Sequence, residues 1–168
     1  MDQLRHHLDF SDPEIVKTHN CYDYAIGHLD ITQTRKTHPG ISKFGNNLNG
    51  KDVHSCQQME LRLQSDHPEL ITTDLNNECP KDYSKIGMMI DPEEDYHLIR
   101  EDGPGRWSHK PGASKPTDRD FSGNLITDPS KADFNYKEAD LNYVNMCGYY
   151  CIHENGHFEN DKKNVRSL

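Results

Sequence analysis

The segment "HNCYDYAIG" places a cysteine where a helix is expected to begin, and this position activates thiols. Asn20 is a favoured N-cap residue, so Cys21 would be the first helical residue. The unpaired backbone N–H groups and the dipole at a helix N-terminus stabilise an anion and lower the pKa of a thiol. Cys21 is therefore a candidate nucleophile, with a buried structural cysteine as the alternative interpretation.

A histidine that could act as the base lies 76 residues later, in "DYHLIREDGPGRWSHKPG". His97 stands at the start of an expected strand. A cysteine at a helix N-terminus and a histidine on a following antiparallel strand form the arrangement of papain-like hydrolases, in which the imidazole accepts the thiol proton. We therefore predict that Cys21 and His97 approach within hydrogen-bond reach, with a packed strand histidine as the alternative for His97.

The neighbouring strand offers residues that could orient this imidazole. Pairing Glu101 with Arg106 across the "DGPG" turn puts His97 opposite Lys110, and a one-residue slip puts it opposite His109. The sequence does not choose between these registers. A solvent-facing strand residue is the favoured interpretation of His109, and an orienting role is the alternative.

The rest of the predicted site surrounds this pair. Asp120 could hold the imidazole of His97, because papain-like sites accept a carboxylate, amide or imidazole in that role. The backbone N–H of Cys21 would form part of an oxyanion hole. No cofactor or metal is predicted for this site. The candidates for substrate binding are Asn20, Tyr22, Trp107 and Ser108.

A segment of some thirty residues with little periodicity follows "RWSHK", and long loops of this kind are often functional. Its acidic residues could help to bind Ca²⁺, which takes carboxylate and carbonyl oxygens. No EF-hand spacing is present, and Asx-turns and helix caps use the same residue types, so the structural interpretation is favoured. The acidic residues in question are Asp118, Asp120, Asp128 and Asp133.

The string "HENGH" matches the His-Glu-x-x-His motif of zinc hydrolases. The motif works on a helix, where His153 and His157 would lie on one face and share the metal. The preceding "YYCI" favours a strand and Asn155-Gly156 favours a turn. A third ligand would have to be Glu159, Asp161 or an upstream residue. Solvated turn histidines are therefore favoured over a zinc site.

The elements that must position these residues change in type along the chain. A cap signal at Ser11 or Asp12 before Pro13 predicts one helix, and "KDVHSCQQMELRLQSDH" predicts another that is capped by Asp52. Short aromatic or β-branched runs then predict antiparallel strands. The order gives an α+β fold, with N-terminal helices packed on the sheet. The predicted strands are 85–90, 95–101, 106–110 and 142–152.

Length and composition limit the function classes. The chain has 168 residues, which suits one domain, predicted at 1–152 with a loose N-terminal arm at 1–12 and a polar tail at 153–168. The net charge of −9 argues against nucleic acid and anionic membranes as partners. We find neither an apolar run long enough to cross a membrane nor a signal peptide, which predicts a cytoplasmic protein, with export by another route as the alternative.

The five cysteines leave at least one thiol unpaired by any internal bridge. No Cys-x-x-Cys pair indicates a zinc cluster. Cys147 and Cys151 would point to the same face of a regular strand. We interpret Cys56, Cys147 and Cys151 as small buried hydrophobic residues.

Several strings resemble a small family of mostly uncharacterised bacterial proteins that also includes mollusc insoluble shell-matrix proteins. These strings are "NCYDYAIG", "HPGISKFG", "DYHLIREDGPGRWSHKPGASKPTDRDFSGNLITDP" and "CGYYCI". They match an expected Cys-Tyr-x-Tyr-Ala start, a Trp-Ser-His-Lys-Pro-Gly centre and an Asp-x-Ser-Gly…Ile-Thr-Asp-Pro segment. The resemblance covers residues 20–152. Phe121 stands where the pattern has Asn before Ser-Gly, which leaves the role of that side chain open.

The order of cysteine, histidine and polar residues is also similar in layout to the NlpC/P60 and CHAP groups of papain-like amidases. This resemblance implies a papain-like core. The leading hypothesis is thus a cysteine hydrolase or acyl-transferase that acts on an amide or peptide bond of a peptide, a protein or a cell-wall peptide. Its alternatives are a non-catalytic matrix or binding module with an acidic loop and, less favoured, a zinc hydrolase.

Overall fold

The computed structural model describes residues 3–46, 48, 55–92 and 94–153. This part of the chain contains a five-stranded antiparallel sheet and a separate short pair of strands. The combination of helices and an antiparallel sheet confirms the predicted α+β class. The strands are β1 (Ile71–Thr73), β2 (Tyr83–Asp91), β3 (Asp95–Gly103), β4 (Arg106–His109), β5 (Asn135–Tyr136), β6 (Leu141–Asn142) and β7 (Asn145–His153). The order in the five-stranded sheet is β1-β7-β2-β3-β4, and β5 pairs with β6.

Helices occupy mainly the first part of the chain. The second helix begins after Asp12, whose carboxylate accepts the backbone N–H of Glu14 at 2.8 Å. The fifth begins after Ser55, whose side chain is the cap; Asp52, the predicted cap, lies outside the described residues. The helices are α1 (Gln3–Asp9), α2 (Pro13–Val16), α3 (Cys21–Ile26), α4 (Ile41–Phe44) and α5 (Cys56–Asp66), with a 3₁₀ turn at Lys137–Ala139.

The N-terminal residues pack on the domain, which differs from the loose arm expected at 1–12. Helix α1 lies against α3, where His6 Nε2 is 3.0 Å from the carbonyl oxygen of Tyr24. The ring of Phe10 meets the ring of Tyr24 edge-on, with centroids 5.3 Å apart. His6 and Phe10 are both buried, so the described part of this arm contributes to the core.

The sheet separates two hydrophobic cores. We call the side that faces α3 and α5 the first face, and the opposite side the second face. Strand β2 is buried on both sides, as its nearly continuous apolar run indicates. The core of the first face consists of Cys21, Tyr22, Ala25, Met59, Leu63, Ile86, Met88, Ile90, Tyr96, Leu98, Tyr150 and Ile152.

The second face is covered by the irregular segment 111–140, which we call the cover segment. It continues the sheet beyond β4, because His109 forms a bridge with Thr117 and the N–H of Trp107 donates to Ile126 O at 3.1 Å. Its own apolar side chains supply part of the core beneath it. The core of the second face consists of Met89, Ile99, Trp107, Ile126, Phe134 and Tyr149.

Strand β7 carries a bulge that changes which way its cysteines point. Its register against β2 shifts between Met88 and Met89, so Cys147 has no partner on β2 and packs against the first face. Cys151 pairs with Lys85 and points to the second face. The expectation that both cysteines share a face is therefore wrong, because it assumed a regular strand.

Disulfides join this strand to each side of the sheet. Cys56–Cys147 connects α5 to β7, and Cys79–Cys151 connects the segment before β2 to β7. The interpretation of these residues as buried hydrophobic thiols is wrong. Cys21 is the free cysteine that the odd count requires.

The β3–β4 turn also differs from the predicted register. Arg106 pairs with Gly103 and Trp107 with Glu101, so the bulge at the turn shifts β4 relative to β3. His109 is then opposite Ile99 and diagonal to His97, rather than directly opposite it.

Two sequence expectations concern residues at or beyond the end of β7. The "HENGH" string starts at His153, and its residues 154–157 lie outside the described residues, as does nearly all of the predicted tail at 153–168.

Among the helices that the structure describes, none has the length and apolar character needed to cross a membrane.

Candidate functional site

Helix α3 begins at Cys21, as the sequence predicts, because its N-terminus is fully capped. The Asn20 side-chain oxygen accepts the backbone N–H groups of Tyr22 and Asp23, each at 3.1 Å. The Asp23 carboxylate in turn accepts the N–H of Asn20 at 3.0 Å. This reciprocal arrangement is a capping box. The thiol thus stands at the helix N-terminus, where it was expected.

The surroundings of the thiol have the opposite effect to the one expected from the helix dipole. Cys21 is only 7% exposed and lies within the core of the first face. Burial raises the pKa of the Cys21 thiol to about 12, and a hydrogen bond with the backbone of Leu98 offsets this only in part. Asp95 and Asp23 raise it further. The thiol therefore stays protonated at neutral pH.

His97 lies on the other side of the sheet. Its Nε2 is 2.8 Å from Nδ1 of His109, and its ring packs beside the rings of Tyr143 and Phe134. Burial, and then the neighbouring His109, hold the pKa of His97 well below its ordinary value. Its strand neighbour Leu98 points to the first face, because successive strand residues alternate.

The predicted pair of Cys21 and His97 is therefore not formed. The sheet stands between the two side chains, since one belongs to the first face and the other packs among residues of the second. A cysteine hydrolase needs its imidazole within hydrogen-bond reach of the sulfur. The described residues do not place these two groups in that arrangement, and the papain-like core is not supported.

The predicted substrate-binding side chains make structural contacts instead. Tyr22 donates to Asp66 at 2.6 Å and so joins α3 to α5. The Ser108 hydroxyl lies 2.7 Å from that of Tyr24, deep in the first face. Trp107 is buried in the second face beside Tyr149, with ring centroids 5.7 Å apart.

Asp120 organises the cover segment rather than an imidazole. Its carboxylate accepts the backbone N–H groups of Ser122 at 3.0 Å, Asn124 at 2.9 Å and Asp133 at 3.0 Å. Asp128 likewise accepts from the backbone and hydroxyl of Ser130. These are Asx-turn contacts, and among the described residues no cluster of His, Cys, Asp and Glu is arranged to hold a metal ion.

A different histidine approaches the N-terminus of α3. His38 Nδ1 lies 2.6 Å from the hydroxyl of Tyr96, which also hydrogen-bonds to Asn20. Burial, and then the nearby Cys21, raise the pKa of Tyr96 well above its ordinary value. No spacing pattern pointed to His38, because the "HPG" turn that presents it is irregular.

Lys110 was placed opposite His97 by the predicted register, but it is a buried structural cation. Its ammonium donates to the carbonyl oxygens of Val16 and Gly112, each at 2.7 Å, and also to that of His19. These contacts satisfy its three N–H donors and fasten the α2–α3 connection to the end of β4. Burial lowers the pKa of Lys110 to about 8.

An open polar groove of about 320 Å³ lies at one end of the sheet, beside the start of β2 and the end of β3. Burial is the main reason why the pKa of Glu101 in this groove is raised, and the charges of Glu78 and Asp102 raise the pKa further. Lys85 lowers it. The groove therefore combines charges of both signs. Its polar side chains are Glu78, Tyr83, Ser84, Lys85, Arg100, Glu101 and Asp102.

Comparison with known proteins identifies one informative relative. The chain is 32% identical over 122 residues to insoluble matrix shell protein 1 of Ruditapes philippinarum, and the match covers 73% of this chain and 74% of that protein. No family model matches the chain. No solved structure matches it either, so the likeness to NlpC/P60 and CHAP proteins is not shown.

These findings overturn the expectation of a cytoplasmic protein. The relative is a protein of the shell matrix, which lies outside the cell. The two disulfides also indicate a location outside the cytosol, because such bonds persist in oxidising compartments and are rare in the cytosol. The prediction relied on finding neither a signal peptide nor a long apolar run, and these two absences do not determine the compartment.

Proposed function

The chain belongs to the family of insoluble shell-matrix proteins, and from this premise we propose that it is a non-catalytic matrix module rather than a cysteine hydrolase. One observation carries the proposal. The single free thiol is protonated and buried on the first face, while the histidine expected to activate it lies on the second. Two disulfides on a shared strand suit a protein that must keep its shape outside the cell.

Such a module would contact its surroundings through distributed negative charge. The net charge is −9, which favours cationic or mineral surfaces. The carboxylates of Asp120, Asp128 and Asp133 already accept hydrogen bonds within the cover segment. Attraction would therefore depend on carboxylates spread over the exposed surface rather than on one ion-binding loop.

Thiol labelling tests the absence of catalysis. In the folded protein at neutral pH, a maleimide should leave Cys21 unmodified, and in denaturant without reductant it should label one thiol per chain. Cys21→Ser is the matched control, because it should show no labelling in either condition. Rapid labelling of the folded protein that slows in His97→Ala would overturn the proposal in favour of a hydrolase.

Adsorption to calcium carbonate particles tests the surface role. Changing Glu14, Glu69, Glu78 and Glu138 to glutamine removes four negative charges, from −9 to −5, and should weaken adsorption severalfold at low salt. Changing Lys17, Lys43, Lys115 and Lys131 to glutamine removes four positive charges and is the matched control, which should bind at least as well. Equal adsorption by all three proteins would contradict the surface role.

A further inference from the structure

A pair of buried histidines joins the cover segment to the sheet. His109 Nε2 donates to the carbonyl oxygen of Arg119 in the cover segment at 2.8 Å, so its proton is on Nε2. Its Nδ1 must then accept, and the proton of the 2.8 Å contact with His97 belongs to His97 Nε2. The chain of donors runs from β3 through β4 to the cover segment, and it requires Nδ1 of His109 to carry no proton.

The surroundings of the pair provide little to balance a positive charge. His97 packs beside Phe134 and Tyr143, and His109 beside Phe121 and Phe134. The Tyr143 hydroxyl donates a hydrogen bond to the carboxylate of Asp95 at 2.8 Å, so this carboxylate is engaged by the hydroxyl rather than by an imidazole of the pair. Among the described residues, the charged or titratable groups that face the pair, besides each other, are Asp120 of the cover segment, Tyr143 and, through Tyr143, Asp95.

Protonation disrupts this arrangement in two steps. One proton can be added at Nδ1 of His97 without breaking the contact with His109, but it places a cation among aromatic rings. A second proton leaves two N–H groups facing each other at 2.8 Å with no acceptor between them. Both steps are relieved when the cover segment lifts and water reaches the imidazoles.

We propose that the cover segment is an acid-sensitive layer, which the His97–His109 pair holds closed at neutral pH and releases when the pair is protonated, while the first face stays folded. The pKa directions agree with this geometry. Burial lowers the pKa of His109 to about 4, and the pKa of His97 is also well below its ordinary value.

The sign of the pH effect follows from linkage. The open form has the ordinary, higher pKa values of about 6.5, so below that pH it binds more protons than the closed form. The closed form is fully favoured above about pH 6.5 and loses stability as the pH falls. Each histidine makes opening up to roughly tenfold more favourable per pH unit, so the pair together reaches up to roughly one hundredfold.

Two native reporters distinguish the faces. Trp107 is the only tryptophan and lies in the core of the second face, whereas Cys21 is the free thiol of the first. Between about pH 6 and pH 3, the Trp107 emission maximum should move reversibly to longer wavelength and acrylamide quenching should increase. Cys21 should remain unlabelled by dithiodipyridine, which reacts with thiols in acid.

The test compares variants on opposite faces. The double variant His97→Gln/His109→Gln has no titratable pair and should lose the Trp107 transition or shift it by at least about one pH unit. His67→Gln is the matched control, because burial also lowers the pKa of His67 to about 4 but its ring lies beside Tyr22 of the first face. Its Trp107 transition should equal that of the unaltered protein.

A measurement on the unaltered protein keeps the test decisive even if the double variant does not fold. Amide hydrogen exchange at about pH 4, corrected for the intrinsic rate, should show loss of protection in peptides from 117–134 and retention in β2 (Tyr83–Asp91). Loss of protection in both regions, labelling of Cys21 together with the Trp107 change, or an equal shift in His67→Gln would overturn the proposal. So would the absence of any Trp107 change above pH 3.

Discussion

The two faces of the sheet are covered by different kinds of structure. The first face is covered by short capped helices, whose backbone groups pair within each helix and whose side chains join through contacts such as Tyr22 to Asp66. The second face is covered by a segment with little regular structure, whose backbone is held by its own aspartates. One sheet can support both layers, because each layer supplies backbone partners locally and apolar side chains to a shared strand.

The disulfides should show the largest difference between the faces. Cys56–Cys147 closes a span of 91 residues and Cys79–Cys151 one of 72, so chain entropy predicts a loss of roughly 4–5 kcal/mol in the free energy of unfolding for each. Cys56→Ala/Cys147→Ala should increase labelling of Cys21. Cys79→Ala/Cys151→Ala should mainly increase quenching of Trp107.

Denaturant titration measures the loss in the free energy of unfolding. Labelling of Cys21 and quenching of Trp107 at sub-denaturing concentrations then show which face has been weakened. Each double variant is the control for the other, because both remove one bond from the same strand. Identical patterns of Cys21 labelling and Trp107 quenching would show that the two layers do not open separately.

Truncating one core side chain on each face should have the next largest effect. Phe134→Ala removes a ring supplied by the cover segment and should lower the free energy of unfolding by about 3–5 kcal/mol. Met59→Ala does the same on α5, with an expected loss of about 2–5 kcal/mol. Hydrogen exchange should show that Phe134→Ala weakens protection of the cover segment more than that of α3. Equal weakening of both would contradict separate layers.

The polar groups that end or shape each layer should have the smallest effects. Asn20→Ala removes the cap of α3 and should cost about 1 kcal/mol, most of which Asn20→Ser should restore. Asp120→Ala removes an acceptor of three backbone N–H groups and should cost about 2 kcal/mol, because these groups have no helix to pair them. Thermal unfolding should show that Asp120→Ala lowers the stability more than Asn20→Ala does. A larger loss for Asn20→Ala would mean that the cover segment depends less on its aspartates than its hydrogen bonds indicate.

Local patterns in the sequence were sufficient for the class of fold and for the start of α3. Asn20 is a strong cap, and β2 and β3 have strand composition, so these elements follow from neighbouring residues. The cysteine pairing could not be predicted, because a one-residue bulge in β7 turned Cys147 to the first face, and bulges leave no clear pattern.

The candidate site failed for a related reason. A helix N-terminus lowers the pKa of a thiol only if water or a cation also stabilises the anion, and sequence does not show that Cys21 is buried. The face to which His97 points depends on strand register, which is set by the whole sheet. His97 and His109 lie on neighbouring strands as expected, but their contact matches the less favoured interpretation of His109, because His109 is buried rather than solvent-facing.

The attachment of both disulfides to β7 also determines what proteolysis can release. Hydrolysis of any one peptide bond between Cys56 and Cys147 leaves two fragments that remain covalently joined, because the Cys56–Cys147 bond spans the cut. A cut between Cys79 and Cys147 is spanned by both bonds. A single nick in this region therefore removes no mass from the molecule unless a reductant is also present.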